Sequence, residues 1–160
     1  MVRLSRLTDY GIVLMAHLAE RERRSDSSSP HNAREVAEET SLPLPVVSKI
    51  LKSLARQGLL VSQRGAKGGY TLARIPEQIS VAEMIHALEG PIGLTECTVH
   101  PGQCVQEENC HVREPWQVIN YAVRQTLGRI KLADLAGPAA PGSTVPLSSL
   151  GVDITDVVES

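Results

Sequence analysis

Between Leu42 and Arg74 two different periodicities stand back to back, and few folds accommodate both. Val47, Ile50, Leu51 and Leu54 recur at spacings of three and four, which places them on one face of a helix. Ser48, Lys49, Lys52 and Arg56 fall on the outer face. Pro45 suits the first turn, where its missing N–H costs nothing, and Gly58 is a natural stop after Gln57. The next stretch, GLLVSQRGAKGGYTLAR (58–74), has two short β-prone runs around a turn rich in Gly, Arg and Lys, which predicts a hairpin.

The residues upstream complete the pattern. Leu4, Leu7, Gly11, Leu14 and Leu18 form one face of a helix over about residues 6–22, closed by the charged run Arg21–Arg24. SDSSSP (25–30) reads as a loop. Asn32 with Glu35 three residues on is an N-cap pattern, opening a short helix to about Glu39, and 40–43 is a turn. Helix, short helix, turn, helix and hairpin is the order of a winged helix-turn-helix, so a mainly α fold with a small β-hairpin wing is expected. Composition agrees. Apolar residues are 42%, aromatics 2% and Phe is absent, so the core must be aliphatic.

Beyond the hairpin, Ser80 and Glu83 form a second capping-box pattern, opening a helix through Leu88 that Gly90, Pro91 and Gly93 break. Residues 94–112 show no periodicity and hold all three cysteines. A long helix is expected from Pro115 to about Leu135, with the apolar stripe Trp116, Ile119, Val123, Leu127 and Ile130. From Gly137 the chain turns to Gly, Pro, Ser and Thr, the composition of a flexible tail. The expected divisions are a DNA-binding domain at 1–90, a cysteine loop at 91–112, a helix at 113–136 and a tail at 137–160.

Charge divides along the same line. Residues 1–75 hold twelve Lys/Arg against seven Asp/Glu, and residues 76–160 hold four against eleven. A basic first half suggests a polyanion partner. Lys49, Lys52 and Arg56 on the helix, with Arg64 and Lys67 at the wing tip, could neutralise phosphates while the helix lies in the major groove of double-stranded DNA. Arg3 and Arg6 stand at a helix N-terminus, where the dipole disfavours cations, and a phosphate would explain that placement. The competing reading is an ordinary solvated face. RGAKGG lacks the Lys-Ser/Thr ending of a P-loop, which argues against nucleotide binding.

Asp9 and His17 interrupt the apolar run near the N-terminus, and no cleavage site follows, so a cytoplasmic protein without a membrane partner is expected. Thiols stay reduced there, so Cys97, Cys104 and Cys110 read as metal ligands or redox groups rather than disulfides. Six residues separate the first two and five the last two. Loop thiolates suit an iron–sulfur cluster, [2Fe–2S] or [4Fe–4S]. Structural zinc usually needs a tight Cys-x2-Cys pair, absent here, and a redox thiol enzyme lacks a Cys-x-x-Cys. All three readings stay open on spacing. A fourth ligand could come from His100, His111 or the remote Asp9, which by itself reads as a helix-dipole residue.

Five segments together resemble the Rrf-two family of bacterial winged-helix regulators: LSRLTDYGIVLMAHLA (4–19), LPLPVVSKILKSLARQGLL (42–60), RGAKGGYTLAR (64–74), ISVAEMIHALEGPIGLTEC (79–97) and REPWQVIN (113–120). The resemblance is nearest to the regulator of the SUF iron–sulfur assembly operon. It implies a homodimer joined through the long helix by Trp116, Ile119, Val123, Leu127 and Ile130, cluster ligation by the three cysteines, and control of promoters; a palindromic operator is expected, and a repressor rather than an activator, though both stay open on the residues. It also matches the family's wing arginine to Arg64 and puts Pro45 and Ser48 on the DNA-reading helix. Two departures matter. IscR-like members use a His three residues after the last Cys, and here that position is Arg113. NsrR-like members carry an Asp ligand where this chain has Asp9, supplied across the dimer. Ser48 also replaces an acidic specificity residue, so the operator sequence does not carry over.

Overall fold

A computed structural model describes residues 3–24 and 29–137. The expected tail therefore lies, apart from Gly137, outside the described residues. The first five elements follow the expected order: α1 (Arg6–Arg24), α2 (Ala33–Thr40), α3 (Leu44–Arg56), β1 (Leu60–Gln63) and β2 (Gly69–Leu72). After a 3-10 turn at Pro76–Gln78 come α4 (Val81–Glu89), the short α5 (Glu96–Val99), a second 3-10 turn at Glu107–Asn109, α6 (Arg113–Arg129) and α7 (Leu132–Leu135).

Local chemistry explains the boundaries. The Asn32 side chain accepts the Glu35 N–H at 2.9 Å and opens α2. Ser41 closes it in the left-handed region at φ 55°, so that Leu42 N–H reaches the Ala37 carbonyl at 3.1 Å and the chain turns into α3. Ser80 and Glu83 cap α4 reciprocally, the Ser80 N–H donating to the Glu83 carboxylate at 2.8 Å.

The core is the one the periodicities called for. Leu14 and Leu18 of α1, Ile50, Leu51 and Leu54 of α3, and Met84 of α4 are fully buried, and the only aromatic rings packed against them among the described residues, Tyr10 and Tyr70, are half-buried. Each such side chain contributes about 1.5–3 kcal/mol by leaving water. A Cβ on Gly11 would run into Leu88, so that glycine lets α1 and α4 close on each other.

β1 and β2 are antiparallel, with Leu60 opposite Leu72 and Gln63 opposite Gly69. The sheet extends further than expected. His31, just before α2, exchanges both backbone hydrogen bonds with Tyr70 at 2.9 Å. A Cβ at Gly69 would strike the His31 carbonyl. The wing is thus tied to the helix-turn-helix, a pairing between distant segments that alternation within the hairpin does not reveal.

Two expectations need correction. The long helix stops at Arg129, not near Leu135. Ile130 is extended (φ −72°, ψ 125°), and Lys131 bridges Ser80. Val81 N–H reaches the Ile130 carbonyl at 2.9 Å, and Leu132 N–H the Ile79 carbonyl at 2.8 Å. Breaking the helix there lets Leu132 enter the core with no exposure, on α7, which packs against α1. The hydrogen bonds to Ile79 and Val81 replace the helical ones given up there, and burial of Leu132 adds to them. The cysteine segment, expected to be irregular throughout, carries the helical turn α5 and a 3-10 turn.

Candidate DNA-binding face and cysteine segment

On α3, Val47, Ile50, Leu51 and Leu54 are buried, while Pro45, Lys49, Lys52 and Arg56 are exposed and Ser48 is half-buried. Arg64 and Lys67 lie exposed in the turn between the strands, where Gly65 (φ +114°) accepts the Gly68 N–H at 2.9 Å. Arg3 and Arg6 are exposed at the start of α1.

Ion pairing separates the cations into two groups. Arg21 pairs with Glu35 at 2.9 Å and Glu39 at 2.7 Å, and Arg23 and Arg24 both pair with Glu20 at 2.7 Å. Among the described residues no salt bridge is made by Arg3, Arg6, Lys49, Lys52, Arg56, Arg64 or Lys67. A cation left without an internal partner keeps its charge available to a phosphate. Arg34, exposed on α2, belongs with the unpaired group, and the sequence reading missed it. Its only signal was its place on the outer side of a short helix.

A second missed feature joins α1 to α4. Thr8 is fully buried and donates its hydroxyl to Glu89 at 2.6 Å, and the Ser5 N–H reaches the same carboxylate oxygen at 2.6 Å. The Thr8 hydroxyl, then the Ser5 N–H, hold the Glu89 carboxyl below its usual value. Glu89 is the last residue of α4, next to the Gly90–Pro91 exit into the cysteine segment. The start of α1, with Arg6 and Asp9, is therefore pinned to the root of that segment.

All three cysteines are free thiols and half-buried. Cys97 lies on α5, its sulfur 3.3 Å from the Thr95 hydroxyl. The Cys104 carbonyl accepts the Glu107 N–H at 3.0 Å, and the Cys110 carbonyl accepts the Arg113 N–H at 3.3 Å. Between them Glu107, only 8% exposed, accepts the Gly102 N–H at 2.6 Å and pairs with Arg113 at 2.8 Å. Arg113 is thereby committed to shaping the loop. Asn120, the buried residue of α6, accepts the Leu94 N–H at 3.1 Å and anchors the segment's beginning.

Asp9 is exposed on α1, and His100 and His111 are exposed in the segment. Among the described residues no three His, Cys, Asp or Glu side chains are gathered as a metal site. In donor chemistry three accessible thiols on one turn-rich segment fit an iron–sulfur cluster; within one chain Asp9 does not complete the set.

The apolar stripe of α6 divides. Leu127 and Ile130 pack partly against the core, and Val123 is half-buried. Trp116 and Ile119 are exposed, beside Val118 at 68% and Tyr121 at 65% exposure. Among the described residues no helix is long and apolar enough to cross a membrane.

Comparison with known proteins gives a consistent picture. The model of a family described as "Rrf2: Iron-dependent Transcriptional regulator" matches residues 4–138. The HTH-type transcriptional regulator CymR of Bacillus subtilis is 30% identical over 135 residues, covering 84% of this chain and 90% of that protein. The structure of CymR, the global cysteine regulator of B. subtilis, superposes with a TM-score of 0.68 at 31% identity, over 85% of this chain and 97% of that one. T. potens IscR superposes with a TM-score of 0.64 at 26% identity, over 89% and 92%. These relatives are regulators rather than enzymes. With a winged helix that leaves the cations of α3 and the wing tip unpaired and a family match over nearly its whole described length, the chain belongs to the Rrf2 family of DNA-binding transcription regulators.

Proposed function

We propose that this regulator is a homodimeric repressor that responds to iron–sulfur status, of the kind that governs iron–sulfur assembly genes. One observation carries the reading: three accessible thiols share a segment whose root, Glu89, is hydrogen-bonded to the start of α1 beside the unpaired Arg6. Cys97, Cys104 and Cys110 would hold the cluster, with Asp9 reaching the fourth position across the dimer. When bound, the cluster supplies a redox- and iron-sensitive crosslink. The chain's own part is mechanical. Asn120 and Glu89 hold the segment to α6 and α1, so the thiols' arrangement bears on the spacing of two α3 helices over a palindromic operator. A coupling of about 1–3 kcal/mol changes operator affinity roughly 5–150-fold. The uncovered Trp116, Val118, Ile119 and Tyr121 side chains supply apolar surface for the dimer.

A second reading rests on CymR. The similarity to a global cysteine regulator favours a protein that answers to cysteine supply or thiol oxidation without a cluster. Anaerobic purification decides between them. Broad visible absorption with matching iron and sulfide, lost in each of Cys97→Ala, Cys104→Ala and Cys110→Ala while far-UV circular dichroism is unchanged, is expected. A colourless protein free of iron overturns the cluster reading.

A further inference from the structure

Between the end of α3, the foot of the wing, α4 and α6 lies a cleft of about 430 Å³, within the range of small-ligand sites. Part of its lining is apolar: Leu59 and Ala87 are buried, and Ile92 is half-buried. Its charges do not cancel. Arg74 pairs with one oxygen of Glu83 at 2.7 Å and also donates to the Gln78 carbonyl at 3.2 Å. The other Glu83 oxygen accepts the Ser80 N–H at 2.8 Å and hydroxyl at 2.9 Å. Both Glu83 oxygens are therefore committed. Arg124 stands exposed on α6, one turn after Asn120, and among the described residues its side chain has no ion-pair partner.

We propose that this cleft is an effector site for a small amphipathic monocarboxylate. The carboxylate sits on the Arg124 guanidinium, whose planar fork matches it in a bidentate manner. The apolar body lies on Leu59, Ala87 and Ile92. A single unneutralised cation favours a monoanion over a phosphate ester, and the apolar lining disfavours a fully hydrated ion. The position gives occupancy a consequence. Gln57 and Leu59 join the DNA-reading helix to the wing, and Ile92 lies where the cysteine segment departs from α4. A ligand wedged between them and α6 bears on the geometry of both, independently of whether the cysteines hold a cluster.

Amide chemical shifts of the ¹⁵N-labelled full chain, titrated with sodium butyrate, acetate and n-butylammonium chloride, test the site. Butyrate should produce saturable shifts at Ile92 and at His86, which also lines the cleft, with a dissociation constant in roughly the millimolar range. Acetate, lacking two methylenes, should bind about tenfold more weakly. Arg124→Gln should weaken butyrate at least about tenfold with the spectrum otherwise unchanged. Shifts that never saturate, that n-butylammonium reproduces, or that persist in Arg124→Gln overturn the proposal. So does a wild-type cleft that binds nothing because a second copy of the chain covers it.

Discussion

Thr8 and Glu89 lie 81 residues apart, yet their 2.6 Å hydrogen bond ties the first turn of α1 to the last residue of α4. Because the Thr8 hydroxyl holds the Glu89 carboxyl below its ordinary value of 4.5, the ionised form is the one that stabilises the fold. That stability is fully present above the unfolded-state value and is lost as pH falls through the lowered folded value. Glu89→Gln should therefore cost on the order of 1 kcal/mol at pH 7, after allowance for solvent screening. The difference from wild type should shrink as pH drops below about 4.5. Urea denaturation across that range reads it, and a gap independent of pH would mean that the charge is not involved. Asp9 carries a different expectation. Asp9→Ala should leave a cluster that forms but is labile, because a carboxylate is a harder, weaker iron ligand than a thiolate. His100→Ala and His111→Ala should do less. A silent Asp9→Ala beside a His variant that loses the cluster removes Asp9 from the ligand set. The caps at Asn32 and Ser80 were legible in the sequence because both partners lie within one turn. Thr8–Glu89 and Asn120–Leu94 were not, since nothing local distinguishes a buried Thr or Asn from an exposed one.

Each element reports on its own surroundings. The α3–wing unit was readable because it contains its own signal: apolar spacing, a stop at Gly58 and a glycine-rich turn. If Arg64 reads a base, Arg64→Ala should cost about 1–3 kcal/mol of operator binding and relax specificity. If it touches only phosphate, affinity falls across all sequences with a shallower salt slope. Fluorescence anisotropy against salt distinguishes the two, and no change in either quantity takes the wing off the DNA. On α6, Asn120→Ala leaves the half-buried Leu94 N–H without its acceptor, a loss of about 1 kcal/mol. The Leu94 amide should then exchange faster while the α3 amides stay protected. Equal acceleration throughout would show global destabilisation and not release of the segment. The break at Ile130 escaped the sequence because no proline marks it; the gain lies in the pocket that α1 and the Pro76–Gln78 turn provide.

For the whole molecule, the basic first half and the acidic second half predict DNA binding that weakens steeply with salt, by about 0.9 log units per log unit of salt for each phosphate neutralised. Val123→Glu sets a carboxylate into the half-buried stripe of α6 and should yield monomers that bind the operator weakly. An unchanged sedimentation mass at micromolar concentration would count against the proposed dimer contact on α6. The sequence by itself determined the winged helix, because amphipathic spacing, caps and turn residues act over a few neighbours and all pointed to one order of elements. It also singled out the three thiols. Only the tertiary structure decided that His31 extends the wing, that Arg113 is taken up by Glu107, and that the chain leaves α6 to return Leu132 to the core. Those outcomes turn on which distant group arrives within hydrogen-bond or van der Waals reach, and such energies exist only once the elements have packed.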